Sequence, residues 1–305
     1  MKTPKYLAIL SLAVIGALYG ASPALATPIL GSDLASFTVL GASTVTNVPT
    51  STIVGDVGVW SSGGANAITG FLSSPGVAVS DPQVTGGLVH AGTTTGTPNA
   101  MSAQAQLTTA ITNLGSLGSG TTLSLADLAG LILSPGVYTV PAGTTNLSGA
   151  LTLDGAGNAN AAWVFQMPST LITSPNSVVN VINTGSGAGV YWNVGSSATI
   201  DVNTTFLGNI LALTSITMNF TATDLCGRAL ADTGAVTLDQ NSLSGICTGI
   251  LAGSAGLSGG LDVTAQGVTF LPYAPVGGGT VPEPATLALL GLGLAGLGFS
   301  RRRHG

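Results

Sequence analysis

Residues 190–208 read VYWNVGSSATIDVNTTFLG, residues 209–227 read NILALTSITMNFTATDLCG, and residues 228–245 read RALADTGAVTLDQNSLSG. The three consecutive units are nearly equal in length, and each closes on glycine. A short fixed period is the signature of a solenoid, whose layers bury their apolar sides only by stacking on one another. Within each unit, three runs rich in β-branched residues are separated by Gly, Ser, Asp or Asn. A coil of about 19 residues therefore holds three strands of four or five residues plus corners. The units predict a parallel β-helix of roughly triangular section. The earlier run Trp163-Val164-Phe165-Gln166-Met167 parallels Val190-Tyr191-Trp192-Asn193-Val194, so coiling begins before the clean repeats. The third position of this strand is Phe165, Trp192, Leu211 and Leu230 in successive units, a column expected to face inward.

The two ends read as addresses. Lys2 and Lys5 precede an apolar run from Tyr6 to Tyr19, and Ala24-Leu25-Ala26 supplies the small-x-small pattern of a signal peptidase site, with cleavage expected before Thr27. The other end reads Val281-Pro282-Glu283-Pro284, then apolar residues from Ala285 to Phe299, then Arg301-Arg302-Arg303. That order resembles the PEP-CTERM sorting signal of Gram-negative bacteria. The resemblance implies handling by an exosortase, removal of the tail, and export to the cell surface or extracellular matrix. An apolar segment this short suits transient membrane anchoring better than a permanent span. The expected division is a signal peptide over 1–26, a solenoid body over 27–250, a weakly structured linker over 251–280, and a sorting segment over 281–305 with a hydrophobic helix at 285–299.

The charge inventory narrows what the body can do. Arg228 is its single cation, against ten aspartates and no glutamate, because the other five basic residues lie in the two end segments. A basic footprint for nucleic acid is absent, so no nucleic-acid partner is expected. Solubility must rest on Thr, Ser, Asn and Gly, and such neutral hydroxyl and amide faces suit a neutral partner. Cys226 and Cys247 fall about one coil apart, and in an exported protein a disulfide is the default expectation. Two free thiols or a metal site fit less well, since His90 is the only histidine of the body and lies far off in sequence.

One helix stands out upstream. Between Asn99 and Leu114 the apolar residues Ala103, Leu107, Ala110, Ile111 and Leu114 recur at helical spacing, while Gln104, Gln106, Thr108 and Thr112 point elsewhere. An amphipathic helix beside a β-solenoid most simply packs lengthwise along one face and leaves the others open. The flanking stretches, residues 27–60 and 123–160, read as short strands, whereas residues 61–98 read as loop.

Several segments, in order, carry a resemblance to a known family. They include Gly41-Ala42-Ser43-Thr44-Val45-Thr46-Asn47, Ile53-Val54-Gly55-Asp56-Val57-Gly58-Val59, Leu133-Ser134-Pro135-Gly136-Val137-Tyr138, Ala162-Trp163-Val164-Phe165-Gln166 and Gly227-Arg228-Ala229-Leu230-Ala231. From about Leu34 to Leu243 the chain resembles the microbial ice-binding proteins built on the DUF3494 domain. The resemblance implies a mostly β fold, a discontinuous right-handed parallel β-helix of triangular section with one long α-helix alongside, and adsorption to ice through one flat face.

The physics of that activity suits this composition. Parallel strands about 4.7 Å apart turn outward side chains into a regular array. The candidate array is the third strand of each coil: Asn203, Thr204 and Thr205; Thr221 and Thr223; Asn241 and Ser242. Members of the family often carry Thr-Ala/Gly-x-Thr/Asn runs there, and the leading threonine is replaced here by Val202, Phe220 and Gln240. Two other functions compete. A β-helix can house a polysaccharide lyase or hydrolase, which needs paired carboxylates or a metal; Asp224, Asp232 and Asp239 near Arg228 are the candidates, and corner aspartates satisfying turn amides explain them better. No enzyme activity, metal or cofactor is therefore expected. The alternative is a structural or adhesive matrix protein binding exopolysaccharide through the same neutral array.

Overall fold

The computed structural model describes residues 27–72, 78–91 and 97–277. The expected signal peptide and the expected hydrophobic helix at 285–299 lie outside the described residues, among which no helix is long and apolar enough to cross a membrane.

Parallel strands dominate, and each coil contributes to three ladders. The first ladder runs through Thr121–Thr122, Gly136–Thr139, Ala162–Met167, Gly189–Val194, the ends of Thr205–Ala212 and Thr223–Ala231, then Phe37–Gly41, Asp56–Val59 and Val89–His90. The second ladder is a separate sheet of seven short strands: Thr145–Leu147, Leu171–Thr173, Ala198–Ile200, Ile216–Met218, Val236–Asp239, Val45–Val48 and Ile68–Thr69. The third runs through Ala150–Asn158, Val178–Thr184, the starts of Thr205–Ala212 and Thr223–Ala231, Ser242–Ser244 and Thr52–Val54. Single long strands such as Thr223–Ala231 bend from the third ladder into the first, which is why those two form one sheet.

The stacking order is not the chain order. Phe37–Gly41 lies between the strand of Arg228 and the strand of Val57, so the N-terminal coil continues the stack after the last repeat. The chain must then travel from the strand of His90 back to the strand of Thr121 at the opposite end. Eight strand spacings make that distance about 38 Å. The helix α1, Pro98–Gly115, covers about 27 Å of it with its 18 residues. Thr97 caps it, its side chain accepting from Ala100 N, and Pro98 occupies the first turn, where its missing N–H costs nothing.

Two apolar clusters follow. The larger fills the coil interior and contains an aromatic stack, Tyr138, Phe165, Trp192 and Phe206, with Phe165 and Trp192 centroids 4.2 Å apart. The smaller lies between α1 and the outer side of the first ladder: Ala100, Ala103, Leu107, Ala110 and Leu114 meet Val164, Tyr191, Leu211, Leu230 and Leu40. This corrects the expected inward column. Trp192 pairs with Ile210, not Leu211, so Phe165 and Trp192 face inward while Leu211 and Leu230 face the helix. A slip of one residue reverses the face of every side chain in a strand. The polar residues of α1 are fasteners: Gln104 Nε2 donates to Asp232 O at 2.7 Å, and Gln106 Oε1 accepts from Leu34 N at 2.9 Å.

The stretch 251–280, expected as a weakly structured linker, is buried in part over its first residues and stays hydrogen-bonded to the body as far as Val276. Ser254, Leu257 and Leu261 are buried, and Leu261–Thr264 pairs antiparallel with Gly267–Phe270. Its few β-branched residues hid this, because the segment docks through backbone carbonyls more than through a repeating apolar face.

Candidate functional site

Among the described residues, the second ladder carries a continuous outward column of threonine. Its strands alternate in burial, so Ala198, Ile200, Ile216, Met218, Val236, Leu238 and Val45 point into the core. The residue between them points out. Register places Thr199 beside Thr217, Thr217 beside Thr237, Thr237 beside Thr46, and Thr46 beside Thr69. Five threonines therefore stand in file, one per strand spacing, over about 19 Å. Ile172 and Asn146 continue the file at one end. β-Branching holds each Thr χ1 in few states, so hydroxyl and methyl repeat with the backbone.

The borders of this face are tied down while its centre is not. On one side Ser215 N donates to Ser197 Oγ at 3.3 Å and Ala235 N to Ser215 Oγ at 3.1 Å. On the other, Asn219 Nδ2 donates to Asp201 Oδ1 at 2.9 Å. Among the described residues, none of the side-chain hydrogen bonds uses the hydroxyls of the five threonines. A rigid frame thus presents unspent hydroxyls and methyls to solvent. Such a lattice can hold water in a repeating arrangement without competing internal partners.

The third-strand residues predicted from sequence divide three ways. Thr205, Thr223 and Ser242 do stand in an outward column, with Thr52 beyond them. Thr204 and Asn241 are corrections: both are buried, Thr204 Oγ1 lying 3.1 Å from Thr173 Oγ1 and Asn241 Nδ2 donating to the carbonyls of Asn219 and Ala222. Asn203 and Thr221 are corner residues with φ of 55° and 58°, bonded to each other through Thr221 Oγ1 and Asn203 Oδ1. The chain must turn sharply from the second ladder to the third, and a left-handed residue at Asn176, Asn203, Thr221 and Gln240 makes that turn in successive coils. Phe220 is exposed just before the corner, and Gln240 stands on it, so neither lies in the threonine file.

The second-strand column was also legible, as an apolar-Thr-apolar triplet in the middle of each repeat: Ala198-Thr199-Ile200, Ile216-Thr217-Met218 and Val236-Thr237-Leu238. The family's motif lies on the third strand instead and gives no signal for this triplet.

The charged residues serve the fold. Arg228 is buried, and its guanidinium donates to Asn209 Oδ1 at 2.8 Å, Ala35 O at 2.7 Å and Ala255 O at 3.0 Å. Burial pulls its pKa down to about 10, with Tyr191 and Asp224 acting in the opposite direction. Asp224 is buried beside it, and that burial pushes its carboxyl well above the usual range, although the Cys226 N–H and the Arg228 charge pull the other way. Asp232 instead accepts from Thr108 Oγ1 at 2.7 Å, and Asp239 borders the second ladder. No pair of these carboxylates shares an open cleft. His90 lies 3.3 Å from Asp56 and 3.4 Å from Thr97 Oγ1, but Thr97 and His90 are buried and the Thr97 hydroxyl caps α1. Burial raises the Asp56 pKa, and hydrogen bonds with His90, Leu88 N–H and Ser36 outweigh it, leaving that carboxyl below its ordinary value. Cys226 and Cys247 form a disulfide with Cα atoms 4.6 Å apart. Among the described residues no group of three His, Cys, Asp or Glu could hold a metal ion.

Fold and face together define a class: a mostly β, parallel-stranded protein with one helix over its first ladder and a bare threonine lattice on its second. The chain belongs to the Ice-binding-like family, whose profile matches residues 39–244. The "Ice-binding protein" of Nostoc sp. (strain HG1) is 38% identical over 303 residues, covering 98% of this chain and 96% of that one. Among solved structures, the Shewanella frigidimarina ice-binding protein_1 DUF3494 domain superposes with a TM-score of 0.63 at 27% identity, over 72% of this chain and 97% of that one. The ice-binding protein of the Antarctic ascomycete Antarctomyces psychrotrophicus gives 0.61 at 31%, over 72% and 98%. Residues 280–303 match the PEP-CTERM protein-sorting motif, which marks the chain for export and sorting.

Proposed function

We propose that the protein adsorbs to ice through the outer face of the second ladder, with Thr199, Thr217, Thr237, Thr46 and Thr69 as contact residues. The observation that carries this is the unbroken file of five threonines on the second ladder, with hydroxyls free of internal partners and borders fixed by Ser197, Ser215, Asp201 and Asn219. Family membership supports the same reading. A methyl and a hydroxyl at every strand spacing restrain first-layer water without binding single molecules so tightly that they leave the lattice. The coil is read as right-handed and triangular in section, and the chain as a non-enzymatic protein exported through its N-terminal signal to the cell surface or matrix.

A second placement stands on the third ladder, where Thr205, Thr223, Ser242 and Thr52 align. That column is less uniform, because Ser242 interrupts its threonines and the residue two positions further along the strand is the exposed Leu225 in one coil and the buried Ser244 in the next. Measuring thermal hysteresis and crystal shaping on Thr217→Tyr and Thr223→Tyr separates the two. Thr217→Tyr is expected to abolish faceting and Thr223→Tyr to leave it intact. The reverse result would move the contact face to the third ladder. Unshaped crystals from the folded parent would sink the ice reading altogether.

A further inference from the structure

Beyond Gly245 the chain runs back along the first ladder as a strap. Cys247 is bonded to Cys226, Arg228 donates to Ala255 O at 3.0 Å, and Gly259 N donates to Ala188 O at 3.0 Å. The strap then forms a hairpin of Leu261–Thr264 and Gly267–Phe270. Against this hairpin lies Thr27. Val263 N donates to Thr27 O at 2.9 Å, and Thr27 N donates to Asp262 Oδ1 at 2.6 Å. Ile29, Leu30 and Leu261 sink into the apolar cluster beneath α1, so burial holds the segments on both sides of the contact.

The charge balance of this contact is uneven. Among the described residues, Thr27 N is the one hydrogen-bond partner of the Asp262 carboxylate. The surroundings bring no cation. Helix α1 contributes Gln106, Thr109 and Asn113 to a cavity of about 160 Å³ that Thr27, Ile29 and Val263 also line. Asp33, the next carboxylate along the N-terminal segment, accepts from Gln106 Nε2 at 3.2 Å and from Ser102. Arg228, the single cation of the body, is buried and engaged with Asn209, Ala35 and Ala255. Asp262 therefore aims its charge at a backbone nitrogen alone, and that nitrogen is the first after Ala24-Leu25-Ala26.

We propose that signal peptidase releases the chain at Thr27 and that Asp262 receives the new α-ammonium, so that processing completes the docking of the N-terminal segment on the hairpin. Hydrolysis of the Ala26–Thr27 peptide bond consumes one water and leaves a carboxylate on Ala26 and an ammonium on Thr27. The nitrogen that donates one proton as a neutral amide then carries a positive charge and three donors. Its contact with Asp262 becomes an ion pair with a hydrogen bond charged on both sides. A carboxylate this close favours the protonated amine, so the α-amine is held protonated above its ordinary pH range. In the precursor the same carboxylate meets only a neutral amide. None of this depends on the ice contact.

The sequence makes the test selective. Lys2 and Lys5 both precede Ala26 and no other lysine follows, so the α-amine is the only amine of a chain that begins at Thr27. The full-length precursor is expressed in a Gram-negative host, and the exported protein is purified and its first residue sequenced. Its rate of reaction with an amine-selective acylating reagent is then followed across the pH range of an α-amine. Thr27 is expected as the first residue, with half-maximal rate at a pH above the usual α-amine value of about 8. Asp262→Asn, which keeps an acceptor oxygen without the charge, should return the midpoint to that value. At neutral pH the parent should acylate roughly tenfold more slowly than Asp262→Asn. A different first residue overturns the assigned cut. A folded Asp262→Asn with the parent's profile overturns the ion pair. Should that variant not fold, the parent in guanidinium chloride is the unpaired reference, and a profile that unfolding leaves unmoved overturns the pair in the same way.

Discussion

Thr221 holds φ at 58°, a conformation that a β-branched residue reaches only under strain. Its structural equivalents Asn176 and Asn203 adopt the same region with less penalty. Thr221→Asn is therefore expected to stabilise the fold by about 1 kcal/mol, read as a higher denaturation midpoint. Because Thr221 sits on the corner and not in the threonine file, ice shaping should be unchanged. Asp224 makes a second prediction at this scale. Its folded pKa lies above the unfolded value of 3.8, so it contributes stability below that pH which is lost as pH rises toward the folded value. Asp224→Asn should accordingly be more stable than the parent at neutral pH, with the difference shrinking as pH falls below about 4. A constant offset from pH 3 to pH 8 would show that the carboxyl is ionised inside the fold.

Helix α1 shows how an element takes its function from what it covers. Its apolar stripe was legible as period, and the structure extends the predicted Asn99–Leu114 by one residue at each end. The sequence did not say that Gln104 and Gln106 would be anchors, because a glutamine on the rim of an apolar stripe reads the same whether it meets water or a carbonyl. Leu107 is fully buried between α1 and the first ladder. Leu107→Ala should cost about 3 kcal/mol by thermal or chemical denaturation. The threonine file is on a different ladder, so surviving folded molecules should keep their ice-shaping activity. Loss of shaping in proportion to helix loosening would instead mean that the cover strains the whole coil.

The molecule as a whole is closed by contacts between residues far apart in sequence. The N-terminal coil docks on the last repeat, and Arg228 joins Ala35 to the strap by hydrogen bonds to both. The disulfide closes a loop with a sequence separation of 21 residues, which in the chain-entropy view contributes about 3 kcal/mol. Replacing both cysteines with alanine should lower unfolding free energy by about that amount, measured by denaturant titration, while leaving crystal shape intact. The second ladder lies away from the strap, so an effect on shaping would reveal coupling between them.

Period, composition and the apolar stripe were enough to indicate a β-solenoid with a covering helix, a surface poor in basic charge and a paired Cys226–Cys247, because each of these follows from local spacing or residue counts. The identity of the bare face was beyond them. Strand alternation has a period of two, and the corner residues decide on which residue each strand begins. Left-handed corners at Asn203 and Thr221 turned Thr204 inward and set Thr205 outward, while the stacking of Val45–Val48 after Val236–Asp239 extended the file through Thr46 to Thr69. The docking of Val45–Val48 on Val236–Asp239 joins residues 191 positions apart, and only the tertiary stack brings them into register.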